Sequence, residues 1–135
     1  MTLKDKHAFI TGGGTGIGLA IAQDLAAKGA KVTITGRRQE VLDAVSGNGI
    51  SGMAMDVRDE AQVTDTIARA VEANGPVQIC VANAGVAEGR SLHKTDLDFW
   101  RDMMATNLDG AFLTIRESLK SMRQTDWGRV IAVSS

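Results

Sequence analysis

Cysteine is all but missing from this chain, with Cys80 standing alone in the apolar run Ile79-Cys80-Val81. A single thiol excludes an internal disulfide framework and the small secreted scaffolds that rely on one. Cys80 reads as an inert core thiol, and a reducing cytoplasm is the expected setting. Histidine is scarce as well. His7 and His93 lie far apart, with no cysteine or carboxylate cluster at ligand spacing, so no metal site is expected. No apolar run approaches the roughly 20 residues of a membrane span. The start, Met-Thr-Leu-Lys-Asp-Lys-His, lacks the apolar stretch of a secretory signal. Neither sign of charge dominates: 15 basic and 16 acidic residues are spread along the chain, for a formal net charge of -1. That balance leaves no footprint for nucleic acid or an anionic membrane. Tyrosine is absent altogether.

Glycine, in contrast, is plentiful. Fifteen occur in 135 residues, several of them clustered, alongside an ordinary 44% hydrophobic content. The length suits one domain with a real core. Short β-prone runs fall near His7–Thr11, Lys31–Thr35, Ile50–Met55, Val77–Ala82 and Arg129–Ser134, separated by stretches with helical spacing. Ile17, Ile21, Ala22 and Leu25 share one helical face, stopped by Gly29. Val41, Leu42 and Val45 form a shorter helix ended by Gly47-Asn48-Gly49. Val63, Ile67, Ala70 and Val71 form a third, opened by a capping-box pair, Asp59 and Gln62, and closed by Gly75-Pro76. The longest helical pattern runs from about Asp96 to Arg123. Strand alternating with helix in this way predicts an α/β fold, a doubly wound parallel sheet of strand order 3-2-1-4-5 with helices on both faces. One dinucleotide-binding domain over residues 1–135, without internal boundary, is expected.

The first strand runs into Thr11-Gly12-Gly13-Gly14-Thr15-Gly16-Ile17-Gly18, where a helix begins. Glycines at such a junction let the backbone turn tightly and let a pyrophosphate approach free helical N–H groups. Leu19 and Ala20 stand where a Walker-type loop needs Lys and Ser/Thr, so a nucleoside triphosphate loop is a poor fit. The spacing is T-G-x-x-x-G-x-G. Candidate cofactor contacts are Gly12, Gly14, Thr15, Gly16, Ile17 and Gly18.

This spacing resembles the short-chain dehydrogenase/reductase family, and further matches follow in that family's order. They are Asp56-Val57 after the third strand, Asn83-Ala84-Gly85 after the fourth, Asn107-Leu108-Asp109-Gly110 in the long helix, and the strand-like Arg129-Val130-Ile131-Ala132-Val133-Ser134-Ser135. The resemblance spans the whole chain and leans toward reductases of 3-oxoacyl thioesters. It implies a Rossmann domain, an adenine contact at Asp56 and Val57, a backbone path over the cofactor ribose at Asn83, Ala84 and Gly85, a catalytic-relay role for Asn107, and a catalytic serine at Ser135. Asp56 also reads as a simple helix cap. Asn107, placed mid-way along an apolar helix face, needs a backbone group or a water as partner.

The second strand ends Thr35-Gly36-Arg37-Arg38, with glycine where a carboxylate would hold the ribose hydroxyls of NAD. Paired guanidinium donors at Arg37 and Arg38 suit a 2′-phosphate, so NADP(H) is expected ahead of NAD(H). The implied activity is a carbonyl–alcohol interconversion by hydride transfer on a small-molecule substrate. The family's proton donor lies in a Tyr-x-x-x-Lys motif downstream of its serine. With no tyrosine present, the chain reads as truncated before that region, and these 135 residues alone are expected to be inactive. The alternative is a non-catalytic NADP(H)-binding module or sensor, should residue 135 be the natural end. The long helix is apolar over more than one stripe. Trp100, Met104, Leu108, Phe112, Ile115 and Leu119 run along one side, with Phe99, Met103 and Leu113 beside them. One face is expected on the sheet and another against a partner subunit, in a homodimer or homotetramer.

Overall fold

Five strands, β1 (His7–Thr11), β2 (Lys31–Gly36), β3 (Ile50–Ala54), β4 (Ile79–Ala82) and β5 (Arg129–Ala132), form one sheet in the order β3-β2-β1-β4-β5. Every adjacent pair is parallel. The structure is a computed structural model and describes residues 2–134. The connections are α1 (Gly16–Ala27), α2 (Gln39–Asp43), α3 (Glu60–Asn74), and a long helical run made of α4 (Leu97–Met104), a π-turn (Ala105–Asp109) and α5 (Gly110–Met122). This is the predicted Rossmann-type arrangement.

The two faces of the sheet carry two cores, as the two-residue period of a strand requires. Ala8, Ile10, Val32, Ile34 and Val81 point to one side and pack with Ala22 of α1 and Leu42 of α2. Phe9 and Cys80 point to the other, where Val63, Ile67 and Ala70 of α3 and Leu113 and Met122 of α5 cover them. The α3 stripe falls at the helical spacing read from the sequence, each large side chain contributing about 1.5–3 kcal/mol by burial. β1 and β4 are buried along their whole length. β5, last in the strand order, is an edge, and all four of its residues are exposed.

Helix ends follow the sequence signals with two revisions, the first being that α2 stops at Asp43 and leaves Val45 outside it. Gly29, Gly47, Asn48, Gly49 and Gly75 all take positive φ at the breaks. Asp59 caps α3 by accepting from Gln62 N at 3.1 Å. The return bond of a capping box is redirected: Asp59 N donates to the Asp56 carbonyl at 3.1 Å, and the Gln62 side-chain oxygen accepts from Asp56 N at 2.9 Å.

The long helix turns one face to the sheet, as expected, and a second, apolar one outward. The side of α5 that lies on the sheet is built from Gly110, Leu113, Thr114, Glu117, Ser118, Ser121 and Met122. A Cβ on Gly110 would collide with the Val57 side chain, so its absence sets how close the helix comes. Ser121 Oγ accepts from Val77 N at 3.0 Å, satisfying a donor at the entry to β4. The apolar side instead faces outward, with Trp100 50% and Phe112 59% exposed and Leu108 and Leu119 beside them. The inner face mixes Leu113 and Met122 with small and polar groups, so the strongest apolar periodicity tracks the outer one. Among the described residues, no helix is long and apolar enough to cross a membrane.

His7 is among the polar side chains that lie fully inside. His7 Nδ1 lies 2.8 Å from the Gly75 carbonyl and Nε2 lies 2.8 Å from Thr33 Oγ1. A carbonyl can only accept, so Nδ1 carries the proton and the Thr33 hydroxyl donates to Nε2. Burial lowers the His7 pKa below its ordinary 6.5. Below that value the unfolded chain binds a proton that the folded chain refuses, so stability falls with acidification and is flat in this term above it. Urea midpoints compared between about pH 7.5 and about pH 5.5 should drop more in the wild type than in His7→Gln, which cannot titrate there. Equal drops would show that His7 carries none of the acid sensitivity.

Candidate functional site

The carboxyl ends of β1, β2, β3 and β4 open on one crevice, at the point where strand order reverses between β1 and β4. Sheets of this kind bind ligands there. The loop after β1 lies across it. Gly12 has φ +64°, which a side chain resists, and a Cβ on Gly18 would overlap the Gly12 carbonyl oxygen and the Asn83 amide. α1 therefore starts pressed against the end of β1. Thr15 occupies its N-cap position, yet its side chain makes no cap bond. The first helical bond is Leu19 N to the Thr15 carbonyl at 3.1 Å. The N–H groups of Gly16, Ile17 and Gly18 thus have no partner within the helix and are available to an anion.

Thr11 and Asn83 clasp the two strands on either side of the crevice. Thr11 Oγ1 accepts from Asn83 N at 3.0 Å and from Ala84 N at 2.9 Å. Asn83 Nδ2 donates to the Thr11 and Gly12 carbonyls, both at 3.1 Å. The Asn-Ala-Gly turn is so tied to the glycine loop, with Gly85 exposed beyond it.

A cleft of about 270 Å³ lies at the β2–β3 side, lined by Gly12, Thr15, Gly36, Arg37, Asp56 and Val57, together with Arg58. Arg38 is committed elsewhere, its Nε donating to Glu40 at 2.8 Å, while no ion pair engages Arg37 among the described residues. Asp56 is not the cap of α3, which is Asp59. Its carboxylate takes Arg58 side-on, Nη2 to Oδ2 at 2.9 Å and Nε to Oδ1 at 3.1 Å. That guanidinium holds the Asp56 carboxyl below its usual range, with a smaller push from Arg37.

A second cleft of about 450 Å³ lies beside the end of β5, lined by Ile17, Asn83, Gly85, Val86, Asn107 and Ser134. Ile17, grouped by periodicity with the core face of α1, is 66% exposed and borders this cleft instead. Asn107 is likewise not set in an apolar face. It sits in the π-turn, exposed, and clamps the loop after β4: Val86 N donates to Oδ1 at 2.8 Å and Nδ2 donates to the Val86 carbonyl at 2.9 Å. Single π-turns recur at functional positions. Ser135 lies outside the described residues; its neighbour Ser134 borders the cleft that Asn107 also lines.

Residues 6–135 match the family model described as short chain dehydrogenase. The chain belongs to this family. Over 134 residues this short-chain dehydrogenase is 39% identical to the NADP-dependent (R)-specific alcohol dehydrogenase of Lentilactobacillus kefiri, covering 96% of the chain and 53% of that protein. It is 34% identical to the D-beta-hydroxybutyrate dehydrogenase of Cupriavidus necator, covering 98% of the chain and 54% of that protein. The 3-oxoacyl-acyl-carrier-protein reductase FabG of Escherichia coli is 33% identical, with 100% and 57% covered. A solved structure described as a short-chain alcohol dehydrogenase of Sinorhizobium meliloti superposes with a TM-score of 0.94 at 31% identity, covering 99% of this chain and 56% of that one. The chain spans about half the length of the relatives it matches.

Sequence reasoning passed over two side chains of this chain that the fold brings to the crevice: Thr11 and Arg58. Thr11 read as the strand end that opens the T-G-x-x-x-G-x-G spacing, with no bonding role of its own. Arg58, two residues beyond Asp56, had a signal in the Asp-x-Arg spacing that went unused. Thr11→Val should cost about 1–3 kcal/mol, since it leaves two N–H groups without their acceptor. Denaturant titration checks this, and a loss below about 0.5 kcal/mol would mean the clasp contributes little.

Proposed function

We propose that this chain is the cofactor half of an NADP(H)-dependent oxidoreductase that interconverts a small-molecule carbonyl and alcohol. The observation that carries the cofactor preference is Arg37, standing without an ion pair among the described residues beside Gly36, where a carboxylate would favour NAD. The name of the Lentilactobacillus relative, NADP-dependent, points the same way for that protein. Any cofactor must fit a loop in which a Cβ at Gly18 has no room and three helical N–H groups face outward, and a pyrophosphate does. When bound, the nicotinamide supplies the hydride equivalent.

Each residue has a distinct part in this reading. Gly12, Gly14 and Thr15 shape the turn, and Gly16, Ile17 and Gly18 donate their N–H groups to the pyrophosphate. Arg37 grips the 2′-phosphate through paired donors, with Arg38 in a lesser role because Glu40 already holds it. Asp56 accepts from the adenine amino group, Val57 packs beside it, and Asn83, Ala84 and Gly85 carry the backbone past the ribose. Asn107 fixes the loop at Val86 next to the reaction cleft. Ser135 holds the substrate oxygen. The family's proton donor is a tyrosine and these 135 residues contain none, so by themselves they are proposed to be inactive. The outward stripe of Trp100, Leu108, Phe112 and Leu119 is covered by a second copy in a homodimer or homotetramer. A helix with its apolar residues outside and its small polar ones inside asks for such a cover.

Titration of the full-length protein should give tighter binding of NADPH than of NADH. Arg37→Ala should weaken NADPH about 10- to 100-fold with NADH little changed, Arg38→Ala less, and Gly36→Asp should shift preference toward NADH. Equal affinities in the wild type, or no effect of Arg37→Ala, would contradict the cofactor reading. Sedimentation should show a dimer or tetramer that Phe112→Glu drives toward smaller species; a monodisperse wild-type monomer would contradict the assembly.

A further inference from the structure

The Asp56–Arg58 pair is more constrained than a surface ion pair needs to be. Asp56 N donates to Gln62 Oε1 at 2.9 Å, anchoring the backbone to α3. Its Oδ1 accepts from Arg58 N at 3.0 Å and from Arg58 Nε at 3.1 Å. Its Oδ2 accepts from Nη2 at 2.9 Å and more weakly from Nε at 3.3 Å. An ionised carboxylate offers about four lone-pair sites. Arg58 N and Nε fill Oδ1, while Oδ2, taken by Nη2 and only weakly by the shared Nε, keeps one acceptor site beside the cleft that Asp56 and Arg58 both line. Side chains 24% and 37% exposed gain little stability from pairing, so fixing the acceptor is the larger consequence. A tie to α4 is a weaker explanation, since Arg58 reaches Asp102 only at 4.0 Å and Asp102 is 76% exposed.

Charge supplies the second half. Asp56, Arg58 and Arg37 border one cleft, and two guanidinium groups against one carboxylate leave a single positive charge. Without Arg58 the carboxylate would offset Arg37 and repel a phosphorylated ribose. Resting on the nucleotide-binding reading above, we propose that Arg58 is a positioning residue for a 6-aminopurine: it fixes the Asp56 carboxylate at the cleft wall as an acceptor for the exocyclic amino group and offsets its charge beside a phosphate. Recognition of the purine thereby depends on a residue two positions beyond the one that makes the contact.

The test is calorimetric titration of the full-length protein with NADPH and with its reduced hypoxanthine analogue, in which an oxygen replaces the amino group. Wild type should favour NADPH by about tenfold, the scale of one hydrogen bond to a charged acceptor. Arg58→Gln should weaken both dinucleotides through the lost charge, but NADPH about tenfold more than the analogue, erasing most of that preference. Arg58→Lys keeps the charge but not the fork, and should restore overall affinity more than the preference. Asp56→Asn should abolish the preference, and adding Arg58→Gln to it should change the ratio no further. Equal loss for both dinucleotides in Arg58→Gln, or an unchanged preference, would overturn the proposal. Binding of both dinucleotides without discrimination by wild type would overturn it while sparing the reading it rests on. Failure of wild type to bind either would overturn both.

Discussion

The join between the carboxyl ends of β1 and β4 is the constraint on which the rest of the crevice depends. Four hydrogen bonds tie Thr11 and Gly12 to Asn83 and Ala84 across it, and Gly18 presses the start of α1 into the Gly12 carbonyl. These contacts fix the position of the helix end, the glycine loop and the turn after β4 relative to one another. A helix N-terminus anchored this way is a rigid anion site, with its donors aimed before any ligand arrives. The same join spaces the two clefts, one toward β2 and β3 and one toward the end of β5, as a two-headed ligand such as a dinucleotide requires.

Electrostatic design is concentrated at one end. The β2–β3 cleft holds Arg37, Arg58 and Asp56, whereas the cleft near β5 is bordered by Ile17, Asn83, Gly85, Val86, Asn107 and Ser134, none of them charged. A charged head and a neutral reacting ring would be sorted by that contrast alone. Asn107 adds geometry there without charge, since its amide is occupied on both sides by the Val86 backbone. The π-turn that carries it also separates α4 from α5, so one helical run serves two different surfaces.

Much of this was legible in the sequence, for identifiable reasons. Strand order and helix placement follow from the alternation of short apolar runs with helical spacing, because a two-residue and a 3.6-residue period leave different marks. The glycine loop was legible because turn geometry admits few residues. What stayed hidden depends on contacts between distant segments. Thr11 is an ordinary strand residue until the Asn83 and Ala84 N–H groups arrive, 72 and 73 positions away. Which residues of α5 meet the sheet was not legible, because its inner face mixes Leu113 and Met122 with Gly110 and Ser121, whose value lies in closeness and hydrogen bonding rather than hydrophobicity. Ile17 looked like core by period and borders a cleft instead, since it belongs to the first turn of a helix whose end, not its side, meets the crevice.

The central claim is that a nicotinamide dinucleotide lies across the β1–β4 join with its pyrophosphate on the N-terminus of α1. Hydrogen–deuterium exchange of the full-length protein, with and without saturating NADPH, reads this most directly. The account predicts slower exchange in peptides covering residues 12–19, 36–38, 56–58 and 83–86, with α3 and the distal half of α5 unchanged. Protection confined to other segments, or none in residues 12–19 at saturation, would contradict it.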